Sequence, residues 1–371
     1  MKITCSRQNL IKGVSTVNKA VPSRTTMPIL YCVLINAEAD QIKLTANDME
    51  LGIETVIEGT ILERGKIALD AKLFFDIVRK LPDNEVTIET GESFQTKITC
   101  ENAEFKLIGQ DADEFSPLPF VAMSDAVTLS QFTLKEMIRQ TIFSIADNDS
   151  NKIMTGELFE IKGDKFEVAS LDGHRISIRK EVLNNQYEDR RLIVPGKSLQ
   201  EISKILPGDA DKNVNIYYTE NHILFAFDET LVVSRLIEGN YFQIEQMLSS
   251  DYETKLVINR RMLLDCIERG SLLTSESEKK PVIFDIKDNQ MELKIRSFVG
   301  SMNEIIPIQK EGADLMIGFN PKFFIDALRV LDEEEITLYL INPKAPCFIR
   351  DENESYTYLI LPVNINQNQG R

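Results

Sequence analysis

The chain has 371 residues, of which 42 are lysine or arginine and 58 are aspartate or glutamate, and its formal net charge is −16. Hydrophobic residues make up 43% and charged residues 27% of the chain, a globular balance that excludes wholesale disorder. At roughly 100–200 residues per domain, this length indicates two or three domains. The acidic balance excludes a protein whose whole surface is a basic coat for nucleic acid.

Composition also excludes several other classes. No run approaches the ~20 apolar residues of a membrane helix, and the start MKITCSRQNL lacks the apolar core of a secretory signal. The five cysteines are odd in number and widely spaced, which argues against a disulfide framework or a zinc site. With only two histidines and no visible nucleophile–base constellation, we expect no catalytic residues, no metal and no cofactor. We expect a cytoplasmic protein that does not contact a membrane.

Short alternating strand patterns fill most of the chain, and six helical patterns interrupt them. Typical strand patterns are FEVAS (166–170), VNIYY (214–218), VIFDI (282–286) and ITLYL (336–340). The helical patterns, in chain order, span residues 6–19, 72–80, 130–141, 196–205, 259–270 and 320–329. The sequence therefore predicts an α+β protein.

The helical patterns recur at a nearly constant interval. Matching apolar positions are Leu10, Leu134 and Leu263 in the first helix of each set, and Leu73, Leu199 and Phe323 in the second. Self-similarity at a fixed period is the signature of a repeat architecture, which we favour over three unrelated α+β domains. We predict three domains, at 1–121, 122–250 and 251–366, each with two helices, followed by a frayed tail at 367–371.

Basic residues are concentrated on the six helical segments. These segments contain fifteen basic and six acidic side chains, a net of +9, whereas the rest of the chain carries −25. A preference of cations for helix C-terminal turns explains Lys80, Arg139, Arg269 and Arg329. It does not explain the cations in first turns, which are Arg7, Lys72, Lys197, Arg260, Arg261 and Lys322. These favour a surface of equivalent helices that faces phosphates without reading base sequence.

Several segments resemble a known family. The repeat plan, together with NKAVPSRTTMPIL (18–30), LTANDMELGI (44–53), SLDGHRIS (170–177), LIVPGKSLQEI (192–202), LMIGFNPKFF (315–324) and LILPV (359–363), is similar to the bacterial DNA polymerase III β subunits, the processivity sliding clamps. The resemblance covers residues 1–365 in order. It implies an α+β fold of three clamp-type domains, each with two helices and two antiparallel sheets. It also implies a head-to-tail homodimer that closes into a ring, with helices lining the hole through which double-stranded DNA passes.

The resemblance also implies partners and site residues. The partners are DNA, bound without sequence specificity, a second copy of the chain, the DNA polymerase III catalytic subunit, a clamp loader, and other replication and repair proteins that carry a clamp-binding motif. DNA contacts fall on Arg24, Lys72, Arg79 and Lys197. Dimer contacts fall on Phe105 and Leu107 at one edge, and on Leu272 and Leu273 at the other. A groove for a partner peptide falls on Met154, Leu171, Gly173, His174, Arg175, Ile176, Phe242, Met247, Asn320, Phe323, Leu361, Pro362 and Val363.

Two other functions stay open at this point. The segment LDGHR places His174 near Asp172, which would suit an enzyme whose site lies there, although Asp-Gly between two strand patterns is a strong hairpin signal. The chain would also suit a protein-interaction scaffold that uses the same groove without encircling DNA.

Overall fold

The computed structural model describes residues 1–147, 151–274 and 280–365, so the tail predicted at 367–371 lies outside the described residues. The chain packs into two compact units. One comprises Met1–Lys135 and Lys197–Leu236, and the other comprises Glu136–Gly196 and Ile237–Arg371. Among the helices of the described residues, none is long and apolar enough to cross a bilayer.

All six predicted helices are confirmed, and each lies within two residues of its predicted bounds. They are α1 (Arg7–Val17), α2 (Ala71–Lys80), α3 (Gln131–Arg139), α4 (Gly196–Ile205), α5 (Arg260–Ser271) and α6 (Pro321–Val330). Side-chain caps fix several of the starts: Ser6, Asp70, Asn259 and Asn320 each accept a backbone N–H from the first turn of the helix that follows.

In two of the three second helices, the buried core residue lies one position after the residue that the sequence predicts. The fully buried core side chains are Phe74, Leu199 and Phe324, which lie 125 residues apart. Leu73, predicted to be the equivalent position, is 49% exposed. Since Leu73 and Phe74 are both apolar, the sequence pattern alone did not distinguish the inward residue from its neighbour.

The described residues also form 24 strands. The first twelve are β1 (Lys2–Ser6), β2 (Cys32–Asn36), β3 (Ile42–Asn47), β4 (Leu51–Ile57), β5 (Thr60–Glu63), β6 (Lys66–Asp70), β7 (Glu85–Thr90), β8 (Gln95–Cys100), β9 (Ala103–Ile108), β10 (Val127–Ser130), β11 (Gly156–Leu171) and β12 (Arg175–Pro195). The other twelve are β13 (Asn213–Tyr218), β14 (His222–Phe227), β15 (Thr230–Arg235), β16 (Thr254–Asn259), β17 (Val282–Lys287), β18 (Gln290–Arg296), β19 (Ser301–Pro307), β20 (Gln309–Gly312), β21 (Leu315–Phe319), β22 (Glu335–Leu340), β23 (Cys347–Arg350) and β24 (Tyr356–Ile360).

The first unit contains two antiparallel sheets. Five strands pair in the order β5-β1-β7-β8-β9, and eight pair in the order β10-β13-β14-β15-β4-β3-β2-β6. The larger sheet contains strands of the first and the central repeats, because β15 pairs with β4 from Thr230↔Thr55 to Ser234↔Leu51. The hydroxyls of Thr55 and Thr230 lie 2.9 Å apart across this joint, and both residues are buried.

The second unit repeats this plan. Seven strands pair in the order β11-β12-β24-β23-β22-β16-β20, and four pair in the order β19-β18-β17-β21. Here β12 of the central repeat pairs with β24 of the last repeat, from Arg175↔Ile360 to Arg179↔Tyr356. Each junction between neighbouring repeats is therefore a continuous sheet. The core of the last repeat packs helices α5 and α6 on these strands through side chains such as Leu263, Phe284 and Phe324.

A carboxylic acid lies inside the second unit. Glu157 of β11 is 0% exposed, and within the described part of the chain neither of its carboxyl oxygens meets a hydrogen-bond donor in good geometry. Burial raises the pKa of the Glu157 carboxyl well above its usual range. Burial therefore favours the neutral, protonated form of this side chain in the folded protein.

We predict that Glu157→Gln makes the protein more stable at alkaline pH. Above the unfolded-state pKa of about 4.3, the unfolded chain loses this proton and the folded chain keeps it, so the free energy of unfolding falls as the pH rises towards the folded-state pKa. Glutamine has no such proton. The free energy of unfolding of the variant minus that of wild type therefore grows with pH, by up to about 1.4 kcal/mol per pH unit. Urea denaturation at pH 5 and pH 8 measures this difference. The exposed Glu311→Gln is the control, and parallel pH profiles for wild type and Glu157→Gln would show that the carboxyl is ionised in the fold.

Candidate functional site

Three lysines occupy one position in the repeats. The second residue is Lys72 in α2, Lys197 in α4 and Lys322 in α6, and all three lysines are exposed. A cation in a first turn is disfavoured by the helix dipole, so this position does not stabilise the helices. Its recurrence at a spacing of 125 residues indicates a shared role outside the fold.

Within the described residues, six exposed lysines of the helical segments form no ion pair: Lys12, Lys19, Lys72, Lys80, Lys197 and Lys322. Arg24, in the segment that follows the first helix, is also exposed. Arg79 is exposed as well, although it lies 3.3 Å from Asp76 and 5.8 Å from the centre of the Phe75 ring. Among the described residues, Arg24, Lys72 and Lys197 therefore make no ion pair, and Arg79, the fourth predicted DNA contact, makes one weak surface pair.

Two first-turn arginines have a structural role, which corrects the sequence interpretation. Arg7 of α1 donates to the carbonyl oxygens of Val78 at 3.2 Å and Arg79 at 2.7 Å, at the C-terminal end of α2. Arg260 of α5 donates to the carbonyls of Leu328 and Glu333, at 2.9 and 2.8 Å, at and just beyond the end of α6. These side chains satisfy helix-end carbonyls of the neighbouring helix, where the dipole favours a cation.

The central repeat makes the same connection with a different residue. Gln131 stands at the start of α3, and Lys135, one turn later, donates to the carbonyl of Leu206 at the end of α4, at 2.8 Å. In every repeat a basic side chain of the first helix therefore binds the C-terminal end of the second. The pairing of the two helices is a tertiary feature, so the sequence interpretation assigns Arg7 and Arg260 to phosphate contact instead.

Most of the remaining helix cations bind acidic side chains. Arg139 pairs with Glu136 and Asp332, Arg329 with Glu268, and Lys204 with Glu201. Arg269 pairs with Glu304 of β19, and its hydrogen bonds lower the pKa of the Glu304 carboxyl. The positive surplus available to a ligand is thus carried mainly by lysines.

A tight turn in the second unit organises the predicted partner groove. Asp172 Oδ1 accepts the backbone N–H groups of His174 at 3.0 Å and Arg175 at 3.2 Å, and Gly173 has φ +84°, a conformation that favours glycine. Asp172 Oδ2 accepts from Arg175 Nε at 3.0 Å. The carboxylate is therefore committed to the turn and to Arg175, and the predicted His174–Asp172 neighbours form no catalytic dyad in this geometry.

Arg175 is enclosed by three elements of the second unit. Its side chain is 7% exposed, and Nη1 donates to Asp326 of α6 at 2.7 Å while Nη2 donates to the carbonyl of Phe143 at 2.5 Å. The guanidinium also lies 4.7 Å from the ring centre of Phe323. This side chain has little surface with which to touch a partner.

Apolar members of the predicted groove gather on one sheet face. Leu171 and Ile176 are buried in a cluster on which Met154 and Phe242 pack. Met247, at the end of the short turn Ile244–Met247, is 45% exposed.

The end of the last strand lies against the same turn. Leu361 N–H donates to the carbonyl of His174 at 2.9 Å, and Val363 N–H donates to the carbonyl of Gly318 at 2.8 Å; Pro362, between them, is half-buried. His174 stacks on Phe323 of α6 at 5.9 Å, and Asn320 caps that helix. The structure thus places Leu361, Pro362 and Val363 beside the turn and beside α6.

Two of the four predicted dimer residues, Phe105 and Leu272, are exposed, whereas Leu107 and Leu273 are half-buried. Phe105 and Leu107 belong to β9, the edge strand of the five-stranded sheet, and Leu272 at the end of α5 is 84% exposed. Leu273 packs on the core of the last repeat. Sequence reasoning missed three exposed neighbours: Ile108 of β9 at 83%, Ile305 of the edge strand β19 at 60%, and Phe298 at 88%. In the sequence they read as ordinary core residues of strands.

Comparison with known proteins identifies the family. Sequence models of the DNA polymerase III beta subunit match in three parts: the N-terminal domain at residues 1–119, the central domain at 128–243 and the C-terminal domain at 245–364. A beta sliding clamp of Staphylococcus epidermidis is 34% identical over 98% of this chain and 99% of its own length. The chain therefore belongs to the DNA polymerase III beta subunit family, the bacterial sliding clamps.

Solved structures agree with this assignment. A crystal structure from Eubacterium rectale, described as a DNA polymerase III beta subunit, is 66% identical, covers 98% of this chain and 100% of its own, and has a TM-score of 0.95. The DNA polymerase sliding clamp of Bacillus subtilis is 35% identical and also has a TM-score of 0.95, over 98% of this chain and 99% of its own. The predicted α+β fold of three repeated clamp domains is confirmed.

We predict that Arg260→Met and Lys322→Met, which remove one positive charge each from the helices of the last repeat, differ in their effect on stability. Arg260→Met leaves carbonyls at the end of α6 without their donor and lowers the free energy of unfolding by about 1–3 kcal/mol. Lys322→Met changes it by less than about 0.5 kcal/mol. Urea denaturation measures both. Equal effects of the two substitutions would contradict the helix-end role of Arg260.

Proposed function

We propose that this chain is a DNA sliding clamp that encircles double-stranded DNA as a head-to-tail homodimer and tethers the replicative polymerase. The observation that carries the proposal is the set of exposed lysines, Lys72, Lys197 and Lys322, at one position of three repeated helices. In a chain of net charge −16 from the sliding-clamp family, such a set suits a phosphate-facing surface.

The proposed DNA contacts are Arg24, Lys72, Arg79 and Lys197. All four are exposed. Contacts between lysine or arginine and phosphate position DNA without reading its sequence, and they weaken with salt as counterions are released. A closed ring stays on DNA because the link is topological. No single contact therefore has to be strong, and the protein can slide.

We predict that reversing three of these charges, with Arg24→Glu, Lys72→Glu and Lys197→Glu together, reduces loading onto nicked circular DNA at least tenfold in the presence of a clamp loader and ATP. Binding to the polymerase stays unchanged, because the groove residues lie elsewhere in the chain. The measurement is the amount of protein that co-elutes with the circle in gel filtration. Wild-type protein loaded on the circle leaves it once the DNA is linearised.

The control reverses three exposed cations outside the six helices, Arg64, Lys165 and Lys344, for the same change in net charge. This control separates the local effect from general repulsion. Retention of wild-type protein on linear DNA with unblocked ends would contradict encirclement. Unchanged loading of the variant with Arg24, Lys72 and Lys197 reversed would instead favour a scaffold that binds proteins but not DNA.

The proposed ring closes through two different edges. Both β9 and β19 are edge strands, and an edge strand offers unpaired backbone groups to a partner. The proposed contacts are Phe105 and Leu107 at the β9 edge, with Leu272 and Leu273 at the other. Exposed Ile108 and Ile305 lie on these same two strands. A contact between two unlike edges is heterologous, and two such contacts close a ring of two chains and six domains.

We predict a solution mass of about twice 42.2 kDa for the wild-type protein, measured by sedimentation equilibrium at micromolar concentration. Leu272→Asp shifts the mass towards that of a single chain, since it places a charge in an apolar contact. The matched control is Leu62→Asp, which alters an exposed leucine of β5 at the opposite edge of the β9 sheet. A wild-type monomer, or equal dissociation by both variants, would refute this assignment of the interface.

We further propose that partner proteins insert a short apolar segment into the groove. Its residues are Met154, Leu171, Gly173, His174, Arg175, Ile176, Phe242, Met247, Asn320, Phe323, Leu361, Pro362 and Val363. The arrangement of apolar walls with a few polar groups suits recognition of a peptide. The partners are the DNA polymerase III catalytic subunit, a clamp loader and other proteins with a clamp-binding motif.

The proposal assigns no chemical reaction to the chain. The Asp172 carboxylate is occupied by Arg175 and by backbone N–H groups, so it does not orient His174 as a base. The energy for opening the ring comes from a separate ATP-driven loader. The five cysteines are buried and unpaired, which suits the reducing cytoplasm in which we propose that the protein works.

A further inference from the structure

We propose that Arg175 is a positioning residue, which holds α6 against the turn of residues 172–175 and so sets the shape of the partner groove without itself contacting the partner. The inference rests on the proposed function, since it assumes that the groove binds a partner. It changes the role of Arg175 from groove wall to internal brace.

The contacts of the guanidinium support this role. It bonds to Asp172 in the turn, to Asp326 on α6, and to the carbonyl of Phe143, and it is 7% exposed. It also lies 4.7 and 5.4 Å from the ring centres of Phe323 and Phe143. A planar fork of donors is suited to holding several acceptors in fixed directions, which a lysine ammonium is not.

The two side chains that Arg175 braces are walls of the groove. The Phe323 ring lies 4.7 Å from the guanidinium and also stacks with the His174 ring, whose centre is 5.9 Å away. His174 in turn accepts the N–H of Leu361 through its carbonyl. A displacement of the guanidinium therefore moves the aromatic pair and the strand end that borders it.

The first repeat provides an internal comparison. Asp48 Oδ1 accepts the N–H groups of Glu50 at 2.9 Å and Leu51 at 2.6 Å, and Met49 has φ +76°. The carbonyl of Glu50 accepts the N–H of Arg235 at 2.8 Å, as the carbonyl of His174 accepts that of Leu361 at 2.9 Å.

The two turns therefore have the same construction, with Leu51 at the position of Arg175. The turn forms without an arginine. A buried charge at a position where leucine suffices carries a desolvation cost, so the turn conformation does not explain Arg175. What distinguishes the second turn is the connection to α6.

The test measures the affinity of the replicative polymerase catalytic subunit of the same cell for immobilised clamp. Arg175→Met, which keeps the length but not the charge or the donors, weakens binding at least tenfold. Arg175→Lys restores only part of the affinity. Asp326→Asn, which keeps the shape of the other end of the ion pair, weakens binding about threefold to tenfold.

A double-mutant cycle separates positioning from direct contact. If Arg175 acts through Phe323, then Arg175→Met in a Phe323→Ala background changes the dissociation constant less than twofold, because the brace has no ring left to hold. A tenfold loss that persists in that background would overturn the proposal, and so would an affinity of Arg175→Met within twofold of wild type.

Arg179→Met is the matched control for general destabilisation. Arg179 lies four residues further along β12 and pairs with Glu181 at 2.7 Å. We expect this variant to lower the melting temperature and leave the affinity unchanged. If Arg175→Met does not fold, Asp326→Asn carries the test alone, and unchanged affinity of that variant overturns the proposal. A wild-type clamp that fails to bind the polymerase would instead refute the proposed groove.

Discussion

Strand pairing between neighbouring repeats is the constraint on which the other features of the structure depend. β15 pairs with β4, and β12 pairs with β24, so each junction is a continuous antiparallel sheet. Backbone hydrogen bonds therefore join the repeats, and no repeat is an independent globule. The same pairing leaves β9 and β19 as edges that no strand of the described chain covers. These are the edges at which we place the second copy.

Each junction also builds a surface. β15 runs antiparallel to β4, and β24 runs antiparallel to β12. The C-terminal end of β15 or β24 therefore lies beside the turn that precedes β4 or β12. This geometry produces the bonds from Arg235 to Glu50 and from Leu361 to His174. The side chains then differ. At the first junction Leu118 packs over Gly52, where a Cβ would lie 2.3 Å from Leu118 Cδ2.

The equivalent place at the second junction holds Ile176, and the side chains around it form a different surface. Ile176 packs in an apolar cluster with Leu171, and the neighbouring turn carries Arg175 and its ion pair with Asp326. The two junctions thus share the same backbone hydrogen bonds but carry different side chains. We place the partner groove at the second junction, because there the apolar cluster lies beside a buried arginine that is bonded to α6.

Much of the fold was predictable from the sequence, because helix periodicity and the ~125-residue repeat are local or regularly spaced signals. All six helices follow from these signals. The inward residue of α2 was not predictable, since Leu73 and Phe74 are equally apolar and only packing decides between them. The sharing of sheets between repeats was also invisible, because strand patterns do not say which strands pair.

The site was predictable to a different degree. The family resemblance supplied the residues of the proposed groove and edges, and in the structure Leu171 and Ile176 share one buried cluster while His174 stacks on Phe323. It did not supply the burial of Arg175, which depends on Phe143 and Asp326 from distant parts of the chain. Exposed edge residues such as Ile108 were missed, because an apolar residue in a strand pattern reads as core.

The arginines and the lysines of the helices make different kinds of contact. Arginines on the helices bind carbonyls or carboxylates: Arg7 and Arg260 hold helix ends, and Arg139, Arg269 and Arg329 hold acidic side chains. A planar guanidinium suits such fixed, directional contacts. The exposed cations without ion pairs in the described helices are lysines, whose hydrated ammonium on a flexible stem makes weak, screened contacts.

A clamp that slides needs this second kind of contact on its DNA-facing surface. At Lys72 and Lys197 a hydrated ammonium exchanges one phosphate for the next at little cost. The two arginines among the proposed contacts, Arg24 and Arg79, are exposed, so each also offers a charge that is screened by solvent. The net charge of +9 on the helical segments therefore overstates the charge offered to DNA, because part of it is consumed in holding the fold. The part that remains is of the type that permits movement, and it stands at repeated positions of a chain whose other residues carry −25 and repel DNA.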